Sequence, residues 1–155
     1  MREQVLQGVV PIPMTELKNF PIRPSWILEG VPVARAAILS EGSTDRSAFT
    51  ILWDCTAGRF NWFYSIDETV YILEGAVSLR FPSGATRQLV AGSSHFFARG
   101  TQAEWQVSSY VRKVAFCHEP LSTKVFIAKR AFRALRRALF PRSAPPSLTR
   151  MFETN

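Results

Sequence analysis

The sequence predicts an all-β domain, a double-sheet jelly-roll barrel, with an extended arm before it and a basic amphipathic helix after it. Three observations carry this expectation. From Val33 to Cys117, short runs rich in β-branched and aromatic residues alternate with turn residues. Up to about Pro32 the chain carries Pro11, Pro13, Pro21, Pro24 and Pro32, each of which removes a backbone donor and biases its predecessor to extended geometry. After Pro120 the apolar period changes to that of a helix. A chain of 155 residues is long enough for one core and too short for two ordinary domains. The expected division is an arm over 1–32, a barrel over 33–121 and a helical, flexible-ended tail over 122–155.

In the arm no regular helix is expected, and Phe20, Trp26, Ile27 and Leu28 give it apolar groups with which to dock. Val33 to Leu39 reads as a strand, followed by a turn over residues 41–45. In the next run, Phe49, Ile51 and Trp53 share one face because side chains alternate along a strand. A loop through Ala57-Gly58 leads to a strand over Phe60 to Tyr64. Further strands are expected over Thr69 to Leu73, Ala76 to Phe81, Thr86 to Val90, His95 to Ala98, Glu104 to Val107 and Val111 to Cys117. Turns fall at Gly75, at Pro82-Ser83-Gly84 and at Gly92-Ser93. Eight or so strands with tight turns fit a jelly roll.

In the tail, Val125, Ala128, Phe132, Leu135 and Leu139 recur at helical spacing, while Lys129, Arg130, Arg133, Arg136 and Arg137 take the other side. Ser122 is the expected N-cap and Pro141 the stop, giving a helix of about five turns. Charge divides the chain in the same way. Residues 1–119 hold eleven basic and eleven acidic side chains, so the whole formal excess of +7 lies in the tail. A neutral fold with a basic appendage argues against a nucleic-acid groove, and no nucleic-acid partner is expected. No signal peptide or membrane span is legible, and the expected location is cytoplasmic. Cys55 and Cys117 read as buried thiols, too few for a disulfide framework.

The stretch from Gly58 through Trp62, Tyr64, Asp67 and Glu68 to Gly75 resembles the first motif of the cupin family. There, a Gly opens a strand, two His follow on one face, then come a Glu and, after six intervening residues, a Gly. Trp62 and Tyr64 stand where those His would be. A second motif is marked by Gly92, Gly100 and Trp105; Ala98 occupies its Pro position and Ala103 its His position. The order Trp62-x-Tyr64, Asp67-Glu68, Trp105, Arg112-Lys113 is similar to the cupin branch related to ureidoglycine aminohydrolase. The resemblance spans about Trp53 to Pro120 and implies a single cupin barrel and, from the family's habit of pairing barrels, a homodimer. Most members of that branch have no assigned activity, and the aminohydrolase itself carries metal-binding residues that this chain lacks.

Composition tests the metal independently. The usual shell needs three imidazoles and a carboxylate, and the chain holds only His95 and His118. The expectation is no metal and no cofactor. A reduced zinc site from Glu68, His95 and a thiol is the rival, and stoichiometric metal in purified protein is its signature.

Alternation along the strand places Glu68 with Val70 and Ile72, facing inward. A carboxylate so desolvated suits a general acid or base; equally, Arg112, Lys113 or a backbone amide holds it and fixes the barrel mouth. Tyr64 and His95 are the other candidate catalytic groups, His95 being also a plausible hydrogen-bonded rim histidine. Trp53, Trp62, Phe97 and Trp105 are candidate ligand-binding walls, suited to a planar metabolite, with core packing as the alternative. Arg112 and Lys113 point to opposite faces, so one meets Glu68 or an anionic ligand and the other solvent.

The leading functional expectation is a small-molecule-binding protein, a metal-independent enzyme transferring a proton through Glu68 in an aromatic-lined barrel. The alternative is a non-catalytic dimeric scaffold or regulatory module acting through the basic helix. That helix packs on the barrel or a second subunit, or meets a membrane surface if its apolar stripe stays exposed.

Overall fold

A computed structural model describes residues 12, 15–42, 47–119 and the helical residues 127, 128, 130–132, 134 and 135. The chain separates into two compact units, Met1–Pro120 and Leu121–Asn155. Among the described residues eight strands pair in the first unit: β1 (Lys18–Asn19), β2 (Ile27–Glu29), β3 (Ala34–Ser40), β4 (Ala48–Phe63), β5 (Asp67–Arg80), β6 (Thr86–Val90), β7 (Ser94–Phe97) and β8 (Gln102–His118). Their path runs β1-β3-β4-β8-β5-β6, with β2 added to β4 and β7 to β5.

Three long strands, β4, β5 and β8, belong to two layers at once. The first half of β4 pairs with β3 and its second half with β2. The first half of β5 pairs with β7 and its second half with β6. Strand β8 lies between β4 and β5 throughout. Two facing layers sharing continuous strands are the jelly roll expected from the sequence. The core fills the space between them, with Trp53 of one layer against Phe60 of the other at 6.5 Å between ring centroids.

The sequence places separate strands where the structure has single bent ones. The expected loop at Ala57-Gly58 is an irregularity inside β4, opposite Ser108 and Ser109 of β8. The expected turn at Gly75 is likewise a register shift inside β5. Each break resets the alternation: inward parity passes from Trp53 and Cys55 to Phe60 in β4, and from Val70 and Ile72 to Val77 and Leu79 in β5. Gly75 has φ 74°, and a Cβ there would stand 2.0 Å from the Tyr110 carbonyl oxygen, so glycine is required at this crossing. Gly58 is required for another reason, since the Pro32 ring lies where its Cβ would be.

The arm docks, but unevenly. Pro24–Trp26 form a 3-10 turn, Ile22 is buried, and Trp26 and Ile27 pack against the core. Phe20 and Leu28 remain exposed. Pro11, Pro13, Ser122, Val125, Lys129, Arg133, Leu139 and Pro141 lie outside the described residues. In the second unit the described residues are helical, and Ile127, Phe132 and Leu135 are exposed. Among the described residues no helix is long and apolar enough to cross a membrane.

Candidate functional site

The site is built from one cross-strand row. Glu68 pairs with Phe97 on one side and Cys117 on the other, and Cys117 pairs in turn with Phe49. All four face the barrel interior, as alternation from Val70 and Ile72 requires. Beside this row opens a cavity of about 310 Å³ whose walls include Trp26, Trp62, Tyr64, Phe49, Glu68 and Cys117. That volume lies at the lower end of the roughly 300–1,000 Å³ usual for small-molecule sites. The neighbouring Asp67 points elsewhere: its Oδ1 accepts the Arg99 backbone N–H at 2.8 Å and fixes the loop after β7.

Glu68 is held by Lys113. Lys113 Nζ donates to Glu68 Oε1 at 2.5 Å, and both side chains are under a tenth exposed. Lys113 pairs across the sheet with Ile72, four residues beyond Glu68, so its long stem runs back along the barrel to reach the carboxylate. The ammonium also lies 4.8 Å from the Trp105 ring centroid, 5.0 Å from that of Trp53 and 6.0 Å from that of Trp62. Indole faces attract a cation through their quadrupole, so three rings and one carboxylate offset the desolvation of this lysine. Glu68 Oε2, in contrast, has no hydrogen-bond partner among the described residues.

Tyr64 supplies a second polar group. Its Oη accepts the Trp105 indole N–H at 3.0 Å, and its ring stacks on Phe97 with centroids 4.2 Å apart. Burial, then the charge of Glu68, pushes the phenol far above the ordinary tyrosine range, so Tyr64 stays neutral. Its backbone is pinned on both sides, by bonds to Gly100 N and Thr101 O. The Cys117 thiol is pushed up to about 12, first by desolvation and then by Glu68.

The remaining sequence candidates lie elsewhere. Trp53, Phe97 and Trp105 sit in the core behind the cavity wall. His95, on the row of Val70, packs 4.6 Å from Phe97 and 5.7 Å from Phe81 between centroids, and does not line the cavity. Burial, helped by Arg87, lowers its pKa from the ordinary 6.5. Arg112 faces outward beside Asp54, its cross-strand partner. Asp54 is buried on that face and accepts from both Arg35 and the Tyr110 hydroxyl. Cavity residues beyond the candidate site residues include Cys117, Phe49 and, from the arm, Arg23. Local spacing marks neither Cys117 nor Arg23: alternation puts Cys117 on the face of Lys113 but does not say which face of β8 enters the barrel.

The donor set does not fit the usual cupin metal. An indole at Trp62 and a neutral phenol at Tyr64 replace two imidazoles. Ala103 stands directly across from Trp62, so a methyl group at the third position makes room for the large ring. Of the mixed set Glu68, His95 and a thiol, Cys117 flanks Glu68, whereas His95 packs against Phe81 and Phe97. Among the described residues no three His, Cys, Asp or Glu side chains gather to hold a metal ion.

Residues 42–115 match the family model of the EutQ-like cupin domain. A protein of unknown function of the DUF861 family from Pseudomonas syringae is 25% identical, with a TM-score of 0.61, over 67% of this chain and 45% of its own. This chain therefore spans less than half the length of that relative. The Clostridium difficile EutQ protein superposes with a TM-score of 0.56 at 16% identity, over 72% of this chain and 86% of its own. No curated protein sequence matches the chain. The two shared layers, the matched domain and these structural likenesses agree: the chain carries a cupin-fold barrel, and its residues 42–115 are similar to the EutQ-like cupin domain.

Proposed function

We propose that this protein is a small-molecule-binding cupin, working without the usual metal, whose ligand enters the barrel mouth and places a hydrogen-bond donor on Glu68. The observation that carries this is the division of labour at Glu68: Oε1 is taken by Lys113, while the carboxylate lines a cavity with Oε2 unpartnered among the described residues. In a reaction, Glu68 is the group that takes or gives the proton; Lys113 balances the carboxylate while it is ionised, and the indole faces of Trp53, Trp62 and Trp105 hold the ammonium while Glu68 is protonated. Tyr64, neutral and already accepting from Trp105, directs its own proton to a ligand acceptor. The aromatic walls select a flat body. The ureidoglycine aminohydrolase-like branch remains the finer family reading, supported by Trp62, Tyr64, Glu68, Trp105 and Lys113 in their order.

Phenol, a ring with one donor, and anisole, the same ring without it, test the proposal by NMR titration of the Trp26 and Trp62 indole N–H signals. Phenol is expected to shift both and to bind more tightly than anisole, and Glu68→Gln to erase the difference. Equal binding of the two probes to the wild-type protein would refute the role of Glu68, whatever the variant's stability.

A second reading, a scaffold or regulatory module acting through the basic tail, is favoured by the exposed Ile127, Phe132 and Leu135. Salt-sensitive binding to anionic vesicles, lost on deleting residues 123–155, supports it; unchanged binding on deletion sinks it. The homodimer belongs with either reading and is read by sedimentation.

A further inference from the structure

Resting on the reading of the cavity as a ligand site, a further step concerns the chemical class of that ligand. Arg23 lines the same cavity as Glu68. It is exposed, its guanidinium lies 5.1 Å from the Trp26 ring centroid, and it has no carboxylate partner among the described residues. Glu68 is only 6% exposed. The cavity thus carries a cation at its solvent end and a hydrogen-bond acceptor at its buried end, with Trp26, Trp62 and Phe49 among the walls.

We propose that the ligand is a flat organic acid whose carboxylate meets Arg23 and whose far end carries a neutral O–H or N–H donor to Glu68 Oε2. The anionic end follows from Arg23, whose planar fork matches a carboxylate. The donor end is neutral because Lys113 already balances Glu68. An ammonium placed there would bury a net positive charge beside three indoles that face another cation, and such a charge is costly without a partner. Arg23 is therefore a ligand-recognition residue, carried by the arm rather than the barrel.

The test is a probe series read at the Trp26 and Trp62 indole signals: para-hydroxybenzoate and its longer homologue para-hydroxyphenylacetate, then benzoate, para-methoxybenzoate and phenol. One of the two hydroxy acids is expected to bind more tightly than all the others, with the methoxy compound falling to the level of benzoate. Arg23→Gln is expected to weaken the hydroxy acid about fivefold, the upper range for an exposed ion pair, and to leave phenol unchanged. Phenol binding as tightly as the hydroxy acids, or Arg23→Gln leaving their affinity unaltered, overturns the proposed class while the ligand site stands. If no probe, phenol included, perturbs either indole, the ligand-site reading itself falls and takes this inference with it.

Discussion

Lys113 and Glu68 form a buried ion pair 2.5 Å long inside a barrel whose walls are largely aromatic. Removing one partner leaves the other charge stranded, which in buried pairs costs about 3–5 kcal/mol. Lys113→Met is therefore expected to lose about 3 kcal/mol in urea denaturation. The double variant Glu68→Gln, Lys113→Met should recover most of that loss. Additive losses in the double variant would show that the two residues do not act as a pair.

Gly75 and Gly84 separate backbone strain from crowding. Both have positive φ, but a Cβ at Gly84 meets nothing within 4 Å, whereas one at Gly75 runs into the Tyr110 carbonyl. Gly84→Ala is expected to cost about 1 kcal/mol for the left-handed conformation alone. Gly75→Ala should cost about 3 kcal/mol or more, because β5 must move away from β8. Equal melting temperatures for the two variants would remove the crowding at the crossing between layers.

Both thiols are expected to be inert. Cys55 and Cys117 are buried and pushed up to about 12, chiefly by desolvation. At pH 8 about one such thiol in ten thousand is ionised, and the thiolate is the reactive form. Iodoacetamide should label neither cysteine in the folded protein and both after unfolding in urea. Rapid labelling of Cys117 under native conditions would mean that the cavity is wetter than its lining implies.

His95 should titrate below the ordinary histidine value of 6.5, because burial and then Arg87 disfavour its cation. A folded pKa below the unfolded one means that the unfolded chain binds the proton more readily. The contribution of His95 is therefore fully present above 6.5 and is lost as pH falls through the interval down to its folded pKa. NMR titration of the imidazole should place it below 6.5, and a midpoint above that value would contradict its packing against Phe97 and Phe81.

Much of this molecule is legible in its sequence. Strand β6 falls over Thr86–Val90 as expected, and the inward set Glu68, Val70 and Ile72 follows from alternation alone. Alternation fails where the register shifts. Local pattern predicts two short strands on either side of Gly58 and of Gly75, because it cannot distinguish a turn from a bulge inside one long strand. Phe60 shares the parity of Trp62 and Tyr64, but its stacking on Trp105 at 6.3 Å, fully buried, rests on the pairing of β4 with β8. Both Arg112 and Lys113 lie on apolar stripes of β8, so the sequence could state that they face apart but not which enters the barrel.

The sequence by itself determined the class of the fold, the missing imidazoles and the presence of an inward carboxylate at Glu68, because composition and a period of two are properties of the chain. Only the tertiary structure decided that Lys113 rather than Arg112 meets that carboxylate, that a cavity remains beside Glu68, Trp62 and Tyr64, and that Arg23 of the arm lines it. Those facts depend on the pairing of β4, β5 and β8 and on the docking of the arm. Both bring together residues far apart in the chain, and side-chain reach across them is not encoded in any local spacing.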